Sequence, residues 1–162
     1  MVLDVLATRM SAKFKSHKSG AQVAEGRLGN SKVILAKSNG YMNTSGGPVA
    51  ALLKFYDIPA EQLIVIHDEL DIDFGQLKIK FSGGHAGHNG LRSIISAIGN
   101  EYIRIRFGIG RPPGQQDPAD FVLKNFSSTE KGELAVLLEL AADMVEEITS
   151  RGLSEAQQKF HS

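Results

Sequence analysis

Three short stretches carry residue types suited to hydrolytic chemistry. His67-Asp68-Glu69 ends an apolar run, and His85, His88 and Asn89 sit within Ser82-Gly83-Gly84-His85-Ala86-Gly87-His88-Asn89-Gly90. Asn43 lies in the polar stretch from Ser38 to Ser45. A carboxylate at a strand end can orient a histidine, the relation between a general base and the group that holds it. The amides of Asn43 and Asn89 donate and accept at once, which suits a peptide-like or ester group. Gly83 and Gly84 let a substrate backbone approach closely. N–H groups of a helix starting near Asn89 would face a phosphate or carbonyl oxygen.

Each feature has a plainer reading. Asp71 to Gly75 is rich in turn formers, so Asp68 and Glu69 would simply lead into a turn. Capping accounts for Asn43 or Asn89 equally well. His85 and His88, with Asp68, form a candidate zinc set. Against zinc stand the absence of cysteine, of His-Glu-x-x-His and of a clear further ligand. The glycine pair is followed by no Gly-Lys-Ser/Thr and lacks dinucleotide-fingerprint spacing.

The positioning elements follow from periodicity. Val2, Leu3, Leu6 and Met10 predict a helix with no capping residue ahead of it. Lys13, Lys15, His17 and Lys18 form a basic segment, read as a solvated loop or a nucleic-acid contact. Gln22–Leu28 and Lys32–Ala36 predict a hairpin turning at Gly29-Asn30. Val49, Leu52, Leu53 and Tyr56 give one helical face, which Pro59 is expected to end. Leu63–Ile66 reads as a strand covered on both faces. Leu77–Phe81 alternates apolar and basic residues, a strand pattern. Leu91, Ile94, Ile95 and Ile98 predict a helix stopped by Gly99. Tyr102, Arg104 and Arg106 alternate with Ile103, Ile105 and Phe107, predicting a strand with one apolar and one basic face. If the strands adjoin, Lys78, Lys80, Arg104 and Arg106 make a phosphate-binding patch, extended by Arg111; a solvated sheet face is the other reading. The last long helix has a capping box at Ser127 and Glu130, a face from Leu134 to Ile148 and a stop at Gly152. Leu153–Phe160 predicts a short final helix. Helices alternating with closely spaced strands and a hairpin indicate an α/β single domain, a mixed twisted β-sheet surrounded by helices.

The 162 residues suit one domain, and 42% apolar content supports a real core. Lysine plus arginine and aspartate plus glutamate both total 18, so a polyanionic partner needs a local patch. With no cysteine, a disulfide scaffold and a thiol nucleophile are excluded. No apolar run approaches a membrane span. Met1–Met10 lacks a signal-peptide pattern, which points to a soluble cytoplasmic protein.

In combination the motifs become specific. Tyr41-Met42-Asn43-x-Ser45-Gly46, His67-Asp68-Glu69-Leu70-Asp71, Gly83 through Leu91, and Arg104-x-Arg106-x-Gly108-Ile109-Gly110-Arg111-Pro112 strongly resemble bacterial peptidyl-tRNA hydrolase. Order and spacing fit over essentially all 162 residues. The resemblance implies a cytoplasmic, monomeric α/β enzyme without metal or organic cofactor. It would hydrolyse the ester between peptide and terminal ribose, recycling tRNA from abandoned peptides. By motif, Asn43 and Asn89 would hold peptide and activated water, with Tyr41 lining the site. Asp68 would orient the catalytic histidine, and His88 would support site and substrate. Lys80 and Arg106 would contact tRNA phosphates. The family opens with a strand, Gly-Leu-Gly-Asn-Pro-Gly and a Thr-Arg-His-Asn loop carrying the base. None of these is found in this sequence, and Met1-Val2-Leu3-Asp4 matches the middle of the following helix. The domain over residues 1–162 is therefore expected to be N-terminally incomplete, with exposed sheet edges. His88 or His85 would be a weak substitute base. The alternative is a catalytically inactive tRNA- or RNA-binding relative; a zinc hydrolase comes third.

Overall fold

The computed structural model describes residues 2–38, 45–69, 72–85, 88–108 and 128–161, with side chains from 134 onward in the last long helix. Tyr41, Asn43, Arg111 and the Ser127 capping box lie outside the described residues. Helix α1 (Val2–Arg9) buries Val2, Leu6 and Ala7, as its apolar spacing requires. Strand β1 (Lys15–Ser16) forms within the basic segment expected to be a loop. It pairs antiparallel with β2 (Ala21–Leu28), setting Lys15 against Val23. Strand β3 (Ser31–Ser38) returns antiparallel from Gly29-Asn30, the expected hairpin turn. Gly29 there takes φ 62°, a conformation open to glycine at little cost.

Helix α2 (Gly46–Tyr56) presents Leu52 to Ala21 and Val23. It ends three residues before Pro59. Asp57 adopts φ 54°, and the Ile58 N–H donates to the Leu53 carbonyl at 2.9 Å. Aspartate tolerates that left-handed turn, and Pro59 instead leads into a 3₁₀ turn at Ala60–Gln62. Strands β4 (Ile64–Glu69) and β5 (Leu77–Phe81) follow. Next come α3 (Asn89–Ile98) and β6 (Ile103–Gly108). Helices α4 (Ser128–Arg151) and α5 (Leu153–His161) complete the order.

Two three-stranded sheets result, β1-β2-β3 and β4-β6-β5. The first is antiparallel; in the second, β6 runs parallel to β4 and antiparallel to β5. Among the described residues no strand pairs the outer side of β3 or of β4. Shared apolar contacts join the two sheets instead. Ala24, Leu28 and Leu35 of the first share a core with Leu77, Ile79, Ile105 and Phe107 of the second, under Leu6 of α1 and Leu137, Ala141 and Val145 of α4. Each fully buried Leu or Ile there contributes about 1.5–3 kcal/mol. On the opposite face, Leu91 and Ile94 of α3 cover Tyr102 and Val65. The molecule is thus a helix–sheet–helix α/β domain.

Three contacts set the helices. Arg9 reaches Glu139, Asp143 and Glu146 on α4 at 2.7, 2.8 and 3.1 Å. The Gly46 N–H donates to Ser93 Oγ at 2.8 Å, bringing α2 onto α3. At the outer side of β5, the Ile79 N–H donates to His161 Nε2 at 3.0 Å, and Gln157 Nε2 donates to the Ile79 carbonyl at 3.2 Å.

Candidate active site

The site is built where β4 ends against the head of α3. Parallel pairing sets His67 beside Arg106 and Asp68 beside Phe107, so His67 and Asp68 alternate across the sheet as expected. His67 and Glu69 are 7% and 8% exposed, whereas Asp68 is open to solvent. His67 Nδ1 lies 3.1 Å from the Asp68 carbonyl, so it carries the proton and donates. Nδ1 also lies 3.9 Å from Glu69 Oε2. His67 Nε2 is buried with no partner among the described residues.

Helix α3 begins at Asn89 because His88 caps it. His88 Nδ1 accepts the Leu91 N–H at 3.2 Å, leaving its proton on Nε2. Capping therefore belongs to His88, and Asn89 is the first helical residue. The two imidazoles meet edge to face, with ring centres 5.2 Å apart. Asn89 opens a groove of about 530 Å³ along α3, lined by Arg92, Ser93, Ser96 and Ala97, with Gly47 from α2.

Burial pushes the pKa of His67 and of His88 down, so both rings favour the neutral form. Glu69 opposes this at both rings, Asp68 also at His88, and the Arg104 charge reinforces it at His67. Crowding by the surrounding protein pushes the Asp68 carboxyl up, although its outer side meets water; positive charge at His88 pulls it down. An unfolded histidine titrates near 6.5. A depressed folded value therefore gives stability that is present above 6.5 and lost as pH falls through the folded value. Asp68, being raised, contributes in the opposite sense: its stability is full below 3.8 and lost as pH rises through its folded value. The urea midpoint is expected to be lower at pH 5.5 than at pH 7.5, and His67→Gln to shrink that difference. An equal difference in the mutant would refute the assignment to His67.

The basic residues gather as expected, with one correction. Lys78 stands opposite Arg106 and Lys80 opposite Arg104. Arg104, however, is only 3% exposed and cannot form part of a phosphate-binding surface. Arg104 is covered by the Gly83 and Gly84 carbonyls and stacks near the Tyr102 ring, while Lys80 opposite it stays open. Arg106 is half-buried and pairs with Glu69 at 3.3 Å. Lys78 and Lys80 remain exposed. Among the described residues no three His, Cys, Asp or Glu side chains gather as metal ligands. His88 Nδ1 is moreover committed to the cap.

The geometry brings Asp68, His88 and Asn89 to one end of the sheet, with Lys80 on the strand leading into the glycine loop. Sequence reasoning named His67 beside Asp68 but gave it no role, and its contact with the His88 ring is seen only in the fold. That contact joins residues distant in the chain, which local spacing does not display.

A family profile described as peptidyl-tRNA hydrolase matches residues 1–162. The chain belongs to the peptidyl-tRNA hydrolase family. The peptidyl-tRNA hydrolase of Kineococcus radiotolerans is 55% identical over 170 residues, covering 100% of this chain and 86% of its own. That of Mycobacterium marinum is 56% identical over 164 residues, with the same coverage. The crystal structure of peptidyl-tRNA hydrolase from Acinetobacter baumannii superposes with a TM-score of 0.90 at 31% identity, covering 99% of this chain and 83% of that one. The family resemblance and the α/β architecture read from the sequence both hold. Among the described residues no helix is long and apolar enough to cross a membrane.

Proposed function

We propose that this protein hydrolyses the ester joining a peptide to the terminal ribose of tRNA, freeing both during translation recycling. The observation that carries this reading is the likeness to peptidyl-tRNA hydrolases along the whole chain. A histidine held by Asp68 takes a proton from water, and the water attacks the ester carbonyl. Asn43, Asn89 or a backbone N–H stabilises the oxyanion. Collapse releases the ribose oxygen, which takes up a proton, and the peptide leaves as a carboxylate. Tyr41 lines the site beside Asn43, and Lys80 and Arg106 hold tRNA phosphates. His88 serves as positioner and Nε2–H donor. Its Nδ1 lone pair is already bound to the Leu91 N–H, which argues against it as the base. The same reading makes the protein a single-domain cytoplasmic monomer that uses no metal or organic cofactor.

In this reading the base is the histidine of the Thr-Arg-His-Asn motif that the resemblance implies, a motif not found in residues 1–162. This is supported by the engagement of His17 with Ser19, of His161 with Ile79 and of His88 with Leu91, and by the burial of His67 at 7% exposure, away from bulk water. The test measures release from N-acylated aminoacyl-tRNA by the chain alone and by the chain preceded by the family's opening strand and Thr-Arg-His-Asn loop. The opening is expected to raise turnover by roughly 10²–10⁴-fold, the contribution of a general base. Equal turnover by both would return the base to this chain. Salt-dependent tRNA binding with no release by either would make it an RNA-binding relative and overturn the hydrolase reading. In the same binding assay, Lys80→Ala is expected to lower the slope of log affinity against log salt by about 1.

A further inference from the structure

Arg104 is a buried cation without an anion among the described residues. It lies in the middle strand at 3% exposure, and no carboxylate pairs with it among the described residues. Glu69, the buried acid of this face, is bonded to Arg106 instead. An uncompensated buried charge costs several kcal/mol unless hydrogen bonds answer it. Here carbonyls answer the two Nη groups, while Nε is buried with no partner among the described residues. Nη2 donates to the Gly83 carbonyl at 2.6 Å and Nη1 to the Gly84 carbonyl. The guanidinium lies 4.7 Å from the ring centre of Tyr102, itself 0% exposed. Just before these glycines, the Ser82 N–H donates to the Tyr102 carbonyl at 3.0 Å. Ser82 and Gly83 take φ 65° and 107°, left-handed conformations that turn the chain sharply here. Three successive residues are thus tied to Tyr102 and Arg104, and further along the chain the His88 N–H donates to the His85 carbonyl at 2.8 Å.

From this geometry we infer that Arg104 is a positioning residue, whose forked guanidinium fixes the Gly83-Gly84 carbonyls and so sets His88 and Asn89. Two parallel donors in a rigid plane span two carbonyls; a lysine ammonium, a point charge on a flexible stem, does not reproduce that fork. Lys80 lies over the same loop, its Nζ 3.1 Å from where a Gly83 Cβ would stand. The Gly83 and Gly84 carbonyls are held by Arg104, and Lys80 itself is exposed.

The consequence for turnover rests on the hydrolase reading; the consequence for the loop does not. The experiment compares wild type, Arg104→Lys and Arg104→Gln by amide hydrogen exchange across residues 82–91, by thermal unfolding and by kcat and KM for N-acylated aminoacyl-tRNA, in the form that turns over. Arg104→Lys keeps the charge and is the variant expected to stay folded. It should speed exchange across the loop at least tenfold. It should also lower kcat roughly 10–100-fold with KM within about threefold, the cost of misplaced groups rather than of lost binding. A merely structural role would lower the melting temperature and leave kcat per folded molecule unchanged; that result overturns the inference. Unchanged loop exchange in folded Arg104→Lys overturns it as well. Faster exchange in the variant, with no hydrolysis even by wild type, would uphold the clamp and refute the enzymatic reading.

Discussion

Asp68→Asn is expected to lower peptidyl-tRNA hydrolysis by roughly 10²–10⁴-fold, in whichever form of the chain turns over, while leaving the fold intact. The amide keeps the shape of the carboxyl but neither holds an imidazole in its working tautomer nor stabilises the imidazolium formed as water is deprotonated. The electrostatics of the free protein make this variant a clean one. Crowding already pushes the Asp68 carboxyl up, so its charge opposes folding at neutral pH. Removing the charge should leave the urea midpoint equal or slightly higher. A charge held against stability at the mouth of a site marks Asp68 as a candidate for chemistry. Turnover within threefold of wild type would remove Asp68 from the mechanism. A large loss of turnover with a lower urea midpoint would show that Asp68 acts on the fold instead.

Gly46→Ala is expected to be the most damaging small substitution. Gly46 is buried at the start of α2, against α3. A Cβ there would stand 2.1 Å from the Ser93 carbonyl oxygen and 2.7 Å from its carbon, atoms of a helix backbone that cannot step aside singly. The two helices must part, which strains the packing and breaks the 2.8 Å bond from the Gly46 N–H to Ser93 Oγ. Overpacking of this kind costs about 1–3 kcal/mol, and the lost bond about 1 kcal/mol more. A fall in melting temperature of roughly 5–15 °C follows for a domain of this size. Gly47→Ala is the control: nothing lies within 4 Å of its Cβ position, so it should be neutral or stabilising. Equal melting temperatures for the two variants would refute the close-approach argument. Because α2 follows Asn43 and α3 starts at Asn89, parting the helices should also slow hydrolysis.

Much of this arrangement was legible in local pattern. The β2–β3 hairpin, the apolar stripe of α3 and the alternation in β5 and β6 depend on neighbours within a few residues, and each forms nearly where expected. What escaped depends on contacts between distant segments. Arg104 looked like an outward-facing partner of Lys80, because alternation says which residues share a face and not what covers it. The cover is supplied by two carbonyls of the Gly83-Gly84 loop, whose side chains are hydrogen atoms and carry no sequence signal. The capping role of His88 was hidden similarly: an imidazole acceptor is an uncommon cap, and Asn89 beside it has the more familiar chemistry. The helix stop at Asp57 rather than Pro59 rests on one residue taking a left-handed turn, a choice local spacing does not encode.

The two bonds that α5 makes to Ile79 bear on how copies of this chain meet. β5 is a border strand, and border strands recruit further strands through unpaired main-chain groups. At Ile79 both groups are already taken, the N–H by an imidazole and the carbonyl by a carboxamide. These side chains occupy the place of a neighbouring strand, which no described residue supplies. Polymerisation through this border would first require α5 to peel away and surrender both bonds together with the buried Ala156. Detachment of the final helix is thus the step that would open this border to another strand.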